Sequence, residues 1–277
     1  MSSLPSLFLA HGAPDLVLSE HPTKHFLKGL GYVLPKPKAI LIISAHWEAH
    51  QISLGTARMP ETVHDFSGFP QTLYSLKYPA ATDHALVKRT QALLGEIGLD
   101  VGLDANRGYD HGAWMPLSLL YPKADIPVVQ LSLQRGGNAR LHFNIGQALA
   151  PLRDEGVLVI GSGAVVHNLG ALAPDGVSTP DWAKKFDRWI DDNIQNRNLE
   201  QLLDFPRQPQ NAHKAHPSPE HLMPIFVALG AGWQGGNAMR LHHSFSYSAI
   251  GMACYGFGRA AEFDTILEKG ETPLCQA

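Results

Sequence analysis

Cysteine is scarce in this sequence: Cys254 and Cys275 are the only two among 277 residues. That excludes a disulfide framework and a thiolate metal cluster, and it makes the cytoplasm the expected compartment. Clustered positive charge is missing as well. Lysine plus arginine number 22 against 25 acidic residues, for a net charge of -3, and the two signs are interspersed. Nucleic acid as a partner would call for a basic stripe, so that class is set aside. No apolar run approaches the roughly 20 residues of a membrane-spanning helix, so no membrane partner is expected. The start, Met1-Ser2-Ser3-Leu4-Pro5, has neither the basic residues nor the apolar stretch of a secretory signal.

Several catalytic signatures are absent too. There is no Gly-x-Ser-x-Gly elbow for a serine hydrolase and no phosphate-loop lysine. Gly161-Ser162-Gly163 follows an apolar run, but the rest of a dinucleotide-binding pattern, including its downstream acid, is missing. What remains is 44% hydrophobic and 17% charged, the balance of a globular protein with a sizeable core. No internal repeat or composition break divides the chain, so residues 1–277 read as one domain.

Continuous apolar runs mark buried strands at Ser6 to Ala10, Ala39 to Ser44, Pro127 to Leu133 and Gly156 to Gly161. Helical periodicity marks Pro22 to Leu30 (closed by Gly31), Asp83 to Gly95, Met115 to Leu120, Ala139 to Leu152, Asp181 to Ile194 and Leu199 to Phe205. Ser218 and Pro219 read as the N-cap and first residue of a helix continuing to Leu229. Phe245 to Tyr255 reads as an edge or closing strand. The alternation predicts an α/β fold: a central, mostly parallel sheet flanked by helices, with ligands at the carboxyl ends of the strands.

Histidine is the abundant residue that matters, with 15 copies. His11, His46, His167 and His221 share one context, just beyond a buried strand or at the start of a helix. One histidine in such a place is as readily a packing residue. Four rigidly placed imidazoles are the makings of a metal site, since neutral imidazole binds iron(II) and zinc well. No compact ligand motif is present, so the site has to be assembled from distant segments. His111, in Asp110-His111-Gly112-Ala113-Trp114, could donate a hydrogen bond to bound oxygen or substrate, or could order its loop through Asp110. His64, Phe66 and Phe69 read as pocket rim or packing residues, His213 and His216 as rim or solvent-facing ones, and His242-His243 as polar sequence before the last strand.

Six segments carry a resemblance: Leu7-Phe8-Leu9-Ala10-His11-Gly12-Ala13-Pro14, Ile43-Ser44-Ala45-His46-Trp47, and His64-Asp65-Phe66-Ser67-Gly68-Phe69-Pro70, then Tyr109-Asp110-His111-Gly112-Ala113-Trp114, Gly161 to Leu169, and Pro217-Ser218-Pro219-Glu220-His221-Leu222-Met223-Pro224. In this order they resemble the class III extradiol ring-cleavage dioxygenases, in the 4,5-DOPA extradiol branch. The resemblance implies a single α/β domain that cleaves a small aromatic diol with O2 at a mononuclear non-haem metal. It implies Fe(II) for activity, with Zn(II) as another occupant. By the same resemblance His11, His46 and His221 are core ligands, His167 touches the metal or acts as acid and base, and His111 lies near dioxygen and the substrate hydroxyl. Protocatechuate-cleaving relatives use two histidines and a carboxylate; here the third position is His221, with Glu220 one residue earlier. Two other readings stay open: a zinc hydrolase of amides or esters, with Glu220 or Asp110 as base, and a metal-binding protein without turnover. The catechol and the oligomeric state are not specified by sequence.

Overall fold

The computed structural model describes residues 3–266 apart from 175, 209, 210 and 265, so Cys275 lies outside the described residues. In chain order the first half forms β1 (Ser6–Ala10), α1 (Pro22–Val33), β2 (Ala39–Ala49), β3 (Ser53–Gly55), α2 (His84–Glu96), β4 (Gly102–Asp104), α3 (His111–Leu120) and β5 (Val128–Gln134). There follow α4 (Ala139–Leu149), α5 (Pro151–Asp154), β6 (Val157–Gly163), β7 (Val166–His167), α6 (Asp181–Gln195), α7 (Leu199–Leu203) and α8 (Ala212–Ala215). The chain continues with α9 (Met223–Gly232), β8 (Asn237–His242), β9 (Phe245–Ser246), β10 (Ile250–Gly251) and β11 (Cys254–Gly258).

Eight strands form one sheet in the order β4-β3-β5-β2-β6-β1-β11-β8. The central four, β5, β2, β6 and β1, run parallel. β11 pairs antiparallel with β1, and β8 antiparallel with β11, at one side, and β3 joins β5 antiparallel at the other. β7, β10 and β9 make a small antiparallel sheet.

Alternation along each central strand explains why the runs are apolar throughout. Ile40 and Ile42 of β2, with Leu7 and Leu9 of β1, face a layer containing Phe26, Leu27 and Leu30 of α1 and Leu117 of α3. Leu41 and Ile43, with Phe8, face the opposite layer, which holds Phe143 of α4, Phe186 of α6 and Phe226 of α9. Both faces are covered, so neither set of side chains can be polar without leaving an unpaired group. Because β1, β2 and β6 are parallel neighbours, their carboxyl ends open on the same edge, where ligands bind in open α/β sheets.

Some boundaries differ from the sequence reading, each for a local reason. α1 runs through Gly31 to Val33, because that glycine serves close packing: a Cβ there would sit 2.0 Å from the Leu120 carbonyl oxygen of α3. β2 extends past Ser44 to Ala49, with a register irregularity between Ile43 and Glu48, so His46 lies within the strand rather than after it. α3 begins at His111 instead of Met115, capped by Asp110 and tolerating Pro116 inside. Pro151 divides the long helix expected after residue 139. Ser218 caps nothing; the last helix starts at Met223, and Pro224 takes the first-turn position that tolerates a missing N–H. The closing strand is broken by a turn at Tyr247 and Ser248, both with positive φ. Among the described residues no helix is long and apolar enough to cross a membrane.

Candidate active site

Three histidines from distant segments meet at the carboxyl edge of the sheet. His11 follows β1 directly, His46 sits at the irregularity of β2, and His221 lies in the turn before α9. The close approach of that turn depends on Gly163 at the end of β6, where a Cβ would stand 2.1 Å from the His221 carbonyl oxygen. Instead the Ala164 N–H donates to that carbonyl at 2.9 Å, pinning the segment to the strand end.

The Nε2 atoms point at one another: His46 to His11 at 3.1 Å and His221 to His46 at 3.3 Å. Their protonation follows from the atoms on the far side of each ring. Glu220 Oε1, which can only accept, takes His221 Nδ1–H at 2.8 Å. Ser162 Oγ gives its single proton to the Gly112 carbonyl at 2.5 Å, so His11 Nδ1, 3.0 Å away, must donate to it. The Gly112 carbonyl is open to Ser162 because its helical partner four residues on is Pro116, which has no N–H. Asp65 Oδ2 lies 3.6 Å from His46 Nδ1 and favours the proton on that side too.

With each Nδ1 protonated, three bare Nε2 lone pairs face a common point. Burial pushes the pKa of His11 and His221 well below the ordinary value, and the neighbouring imidazoles add to this. Burial, then His111, lowers His46 to about 4 against the opposing pull of Asp110 and Asp65. Neutral, converging imidazoles repel unless a cation lies between them. Metal–nitrogen bonds of about 2.0–2.1 Å place ligand nitrogens roughly 3.3–3.4 Å apart at the tetrahedral angle and about 2.9 Å apart at a right angle. The observed separations fall between these limits, so the donor set fits a mononuclear divalent ion, with an oxygen acceptor or carboxylate behind every ring.

The other histidines of the sequence reading divide. His167, in β7, stacks on His221 with ring centroids 3.4 Å apart, and its ligand atoms group with those of Glu220 and His221. Burial lowers its pKa, Glu220 opposes this and His111 reinforces it. His111 is held to Asp65 Oδ1 twice, by its main-chain N–H and its ring Nδ1, both at 2.9 Å. Burial works to raise the Asp65 pKa, but the His111 hydrogen bond and the charges of His111 and His46 outweigh it and bring it to about 2. His46, His111, His167 and His221 line a cavity of about 860 Å³ together with Phe66 and Phe69. His64 stands behind that rim, its Nε2 bonded to the Leu76 carbonyl. His213 is exposed, but His216 is buried, its Nε2–H donating to the Val165 carbonyl at 2.7 Å. His242 belongs to β8 and His243 pairs with Asp187, away from the cavity.

Three supporting groups were not singled out from sequence: Ser162, Asp65 and the orienting role of Glu220. Asp110 was named as an ordering partner of His111 and as a candidate hydrolytic base. It is buried and accepts from Ser44 Oγ at 2.6 Å, Gln130 Nε2 at 2.5 Å and Arg107 Nη2 at 2.5 Å, tying α3 to β2 and β5. A signal for Glu220 existed, since an acid adjoining a ligand histidine can reach its Nδ1. Ser162 had none, because its role depends on strand pairing.

Comparison with known proteins identifies the family. Residues 20–258 match the family described as the catalytic LigB subunit of aromatic ring-opening dioxygenase. A Beta vulgaris protein named 4,5-DOPA dioxygenase extradiol is 41% identical over 256 residues, covering 91% of this chain and 96% of its own. A protein of the same name from Escherichia coli strain K12 is 40% identical over 239 residues, covering 84% and 86%. The crystal structure of an uncharacterized Escherichia coli K12 protein superposes with a TM-score of 0.80 at 32% identity, covering 92% of this chain and 100% of that one. The match takes in β2 with His46 and the turn that carries His221, and the chain belongs to the family of the catalytic LigB subunit of aromatic ring-opening dioxygenases.

Proposed function

We propose that this chain, as one catalytic domain over residues 1–277, is an extradiol dioxygenase that opens a catechol-type ring with O2 to a muconic semialdehyde. The family is one of metal-dependent ring-opening enzymes, and DOPA-like diols are the substrate type named in its relatives. The observation that carries the reading is the set of three unprotonated Nε2 atoms of His11, His46 and His221 beside an open cavity.

When bound, Fe(II) supplies Lewis acidity toward the diol oxygens and a route for electrons from the ring to dioxygen. Zn(II) suits the same nitrogen donors but has no redox chemistry, so it is an occupant rather than the active metal. The chain's own residues do the rest. His167, neutral at pH 7, takes the proton of one hydroxyl and later returns it to the product. His111, anchored through Nδ1 to Asp65, keeps its other nitrogen for the cavity, where it holds negative charge developing on oxygen. Phe66 and Phe69 offer faces against which an aromatic ring packs and water is excluded. Both atoms of O2 enter the product, the ring bond beside one hydroxyl-bearing carbon breaks, and no external reductant is consumed. The scarcity of cysteine supports a cytoplasmic location for it.

The zinc-hydrolase reading requires a carboxylate base; one candidate is buried and occupied, and the other is engaged through one of its oxygens. Glu220 Oε1 already accepts from His221 and Ser218, and Asp110 is 1% exposed with its oxygens occupied. Oxygen uptake after anaerobic Fe(II) loading decides the matter: one O2 per ring opened, with a coloured semialdehyde product, is expected. Ester or amide turnover by the zinc form, with no oxygen uptake by the iron form, would refute ring cleavage.

A further inference from the structure

Glu220 carries a charge for which the fold supplies no counter-ion. Its Oε1 accepts from His221 Nδ1–H at 2.8 Å and from Ser218 Oγ–H at 3.1 Å, both uncharged donors. Its Oε2 has no hydrogen-bond partner among the described residues, and no lysine or arginine there pairs with either oxygen. The side chain is only 19% exposed, so most of the hydration that would offset an unpaired carboxylate is gone. Asp65, the other acid of the cavity wall, differs: His111 donates twice to its Oδ1, and His46 stands against its Oδ2.

The unpaired carboxylate is placed where a substrate reaches it. Glu220 lines the cavity of about 860 Å³, large enough for a diol with a ring substituent. One of its oxygens and ring nitrogens of His167 and His221 lie within 4.8 Å of one another. The diol end of a substrate belongs with the converging Nε2 atoms and the divalent ion they suit. Glu220 stands one imidazole ring away from that point, across His221, and a short substituent spans the distance.

We propose that Glu220 is a specificity-determining residue that binds a cationic ammonium on the ring substituent, so that the site prefers amine-bearing catechols to neutral ones of the same size. The proposal rests on the ring-cleavage reading and deepens it. The ammonium donates to Oε2 while Oε1 keeps its hold on His221, and one carboxylate serves both the histidine and the substrate. A charge-assisted hydrogen bond of this kind is stronger in a partly dewatered cavity than at an open surface. A carboxylate on the same substituent remains compatible with the site. The mouth beside Leu169 and Leu172, which are 65% and 43% exposed, leaves such a group in water.

The test compares 4-(2-aminoethyl)catechol with 4-(2-hydroxyethyl)catechol, a pair alike in size and different in charge at pH 7. For the Fe(II)-loaded enzyme kcat/KM for the amine should exceed that for the alcohol by at least about tenfold, the lower end of what a hydrogen bond to a charged group contributes. Calorimetric titration of the zinc-loaded protein should show the same order of affinity with no turnover involved. Glu220→Gln keeps an oxygen for His221 Nδ1–H and loses the charge, so the ratio should fall to near one, whatever loss both substrates share. Ser218→Lys, at an exposed position, sets a cation beside the same carboxylate and should shrink the ratio with Glu220 in place. A wild-type ratio near one overturns the assignment and leaves ring cleavage standing. So does a ratio unchanged in Glu220→Gln, which would leave Glu220 only its hold on His221. The calorimetric preference with no oxygen uptake, from either compound or from unsubstituted catechol, overturns ring cleavage and leaves the ammonium site standing.

Discussion

Ser162→Ala removes one hydroxyl from the end of β6 and strips two buried groups at once. The Gly112 carbonyl loses its only donor, since Pro116 cannot supply the helical one, and His11 Nδ1–H loses its acceptor. At about 1–3 kcal/mol for each buried group left unpaired, unfolding of the metal-free protein in urea should show a loss of roughly 2–6 kcal/mol. Metal affinity, read by competition with a chelator, should fall about 10–100-fold, because the His11 ring is no longer held in the Nδ1–H form. Pro116→Ala in the same background separates the two effects. It restores an N–H four residues after Gly112 and should recover about 1 kcal/mol of stability, while metal affinity stays low. A Ser162→Ala protein that binds metal as tightly as wild type would refute the orienting role.

His111→Ala should retain metal and lower kcat by about 10²–10³-fold, the usual cost of a lost oxyanion donor; a wild-type kcat would remove His111 from catalysis. Cys254 is buried and its thiol is pushed up to about 12, so mass spectrometry should find it unalkylated in native protein at pH 8 and modified after denaturation. Burial lowers His216 to about 4, below the unfolded value near 6.5, so its contribution is complete above pH 6.5 and is lost as pH falls toward 4. Between pH 6.5 and 5 the wild type should lose up to about 2 kcal/mol more than His216→Gln, measured by urea unfolding; parallel pH profiles would contradict this.

The parallel strands were legible because burial on both faces forces runs such as Ile40-Leu41-Ile42-Ile43, which no loop or amphipathic helix would carry. His11 was legible for a related reason, since a rigid strand end places its next side chain on the ligand edge, whereas His46 proved to lie within β2 and His221 in the turn before α9. Element boundaries were less so. Gly31 reads as a helix stop in one dimension, yet in three it is the spot where α1 touches the Leu120 carbonyl. Ser218-Pro219 has the form of a helix start, but Glu220 takes up its hydroxyl and the turn delivers His221 before α9 begins. Gly161-Ser162-Gly163 looked like the remnant of a nucleotide motif. Its glycine at 163 instead admits the His221 segment, and its serine holds His11, a role set by the pairing of β6 with β1 and invisible to spacing along the chain.

Metal content, measured by mass spectrometry after anaerobic Fe(II) loading and gel filtration, tests the three-imidazole centre most directly. One iron per chain is expected in the wild type, and almost none in His11→Ala, His46→Ala or His221→Ala, each folded by circular dichroism. Stoichiometric tight iron in any of the three variants would contradict it.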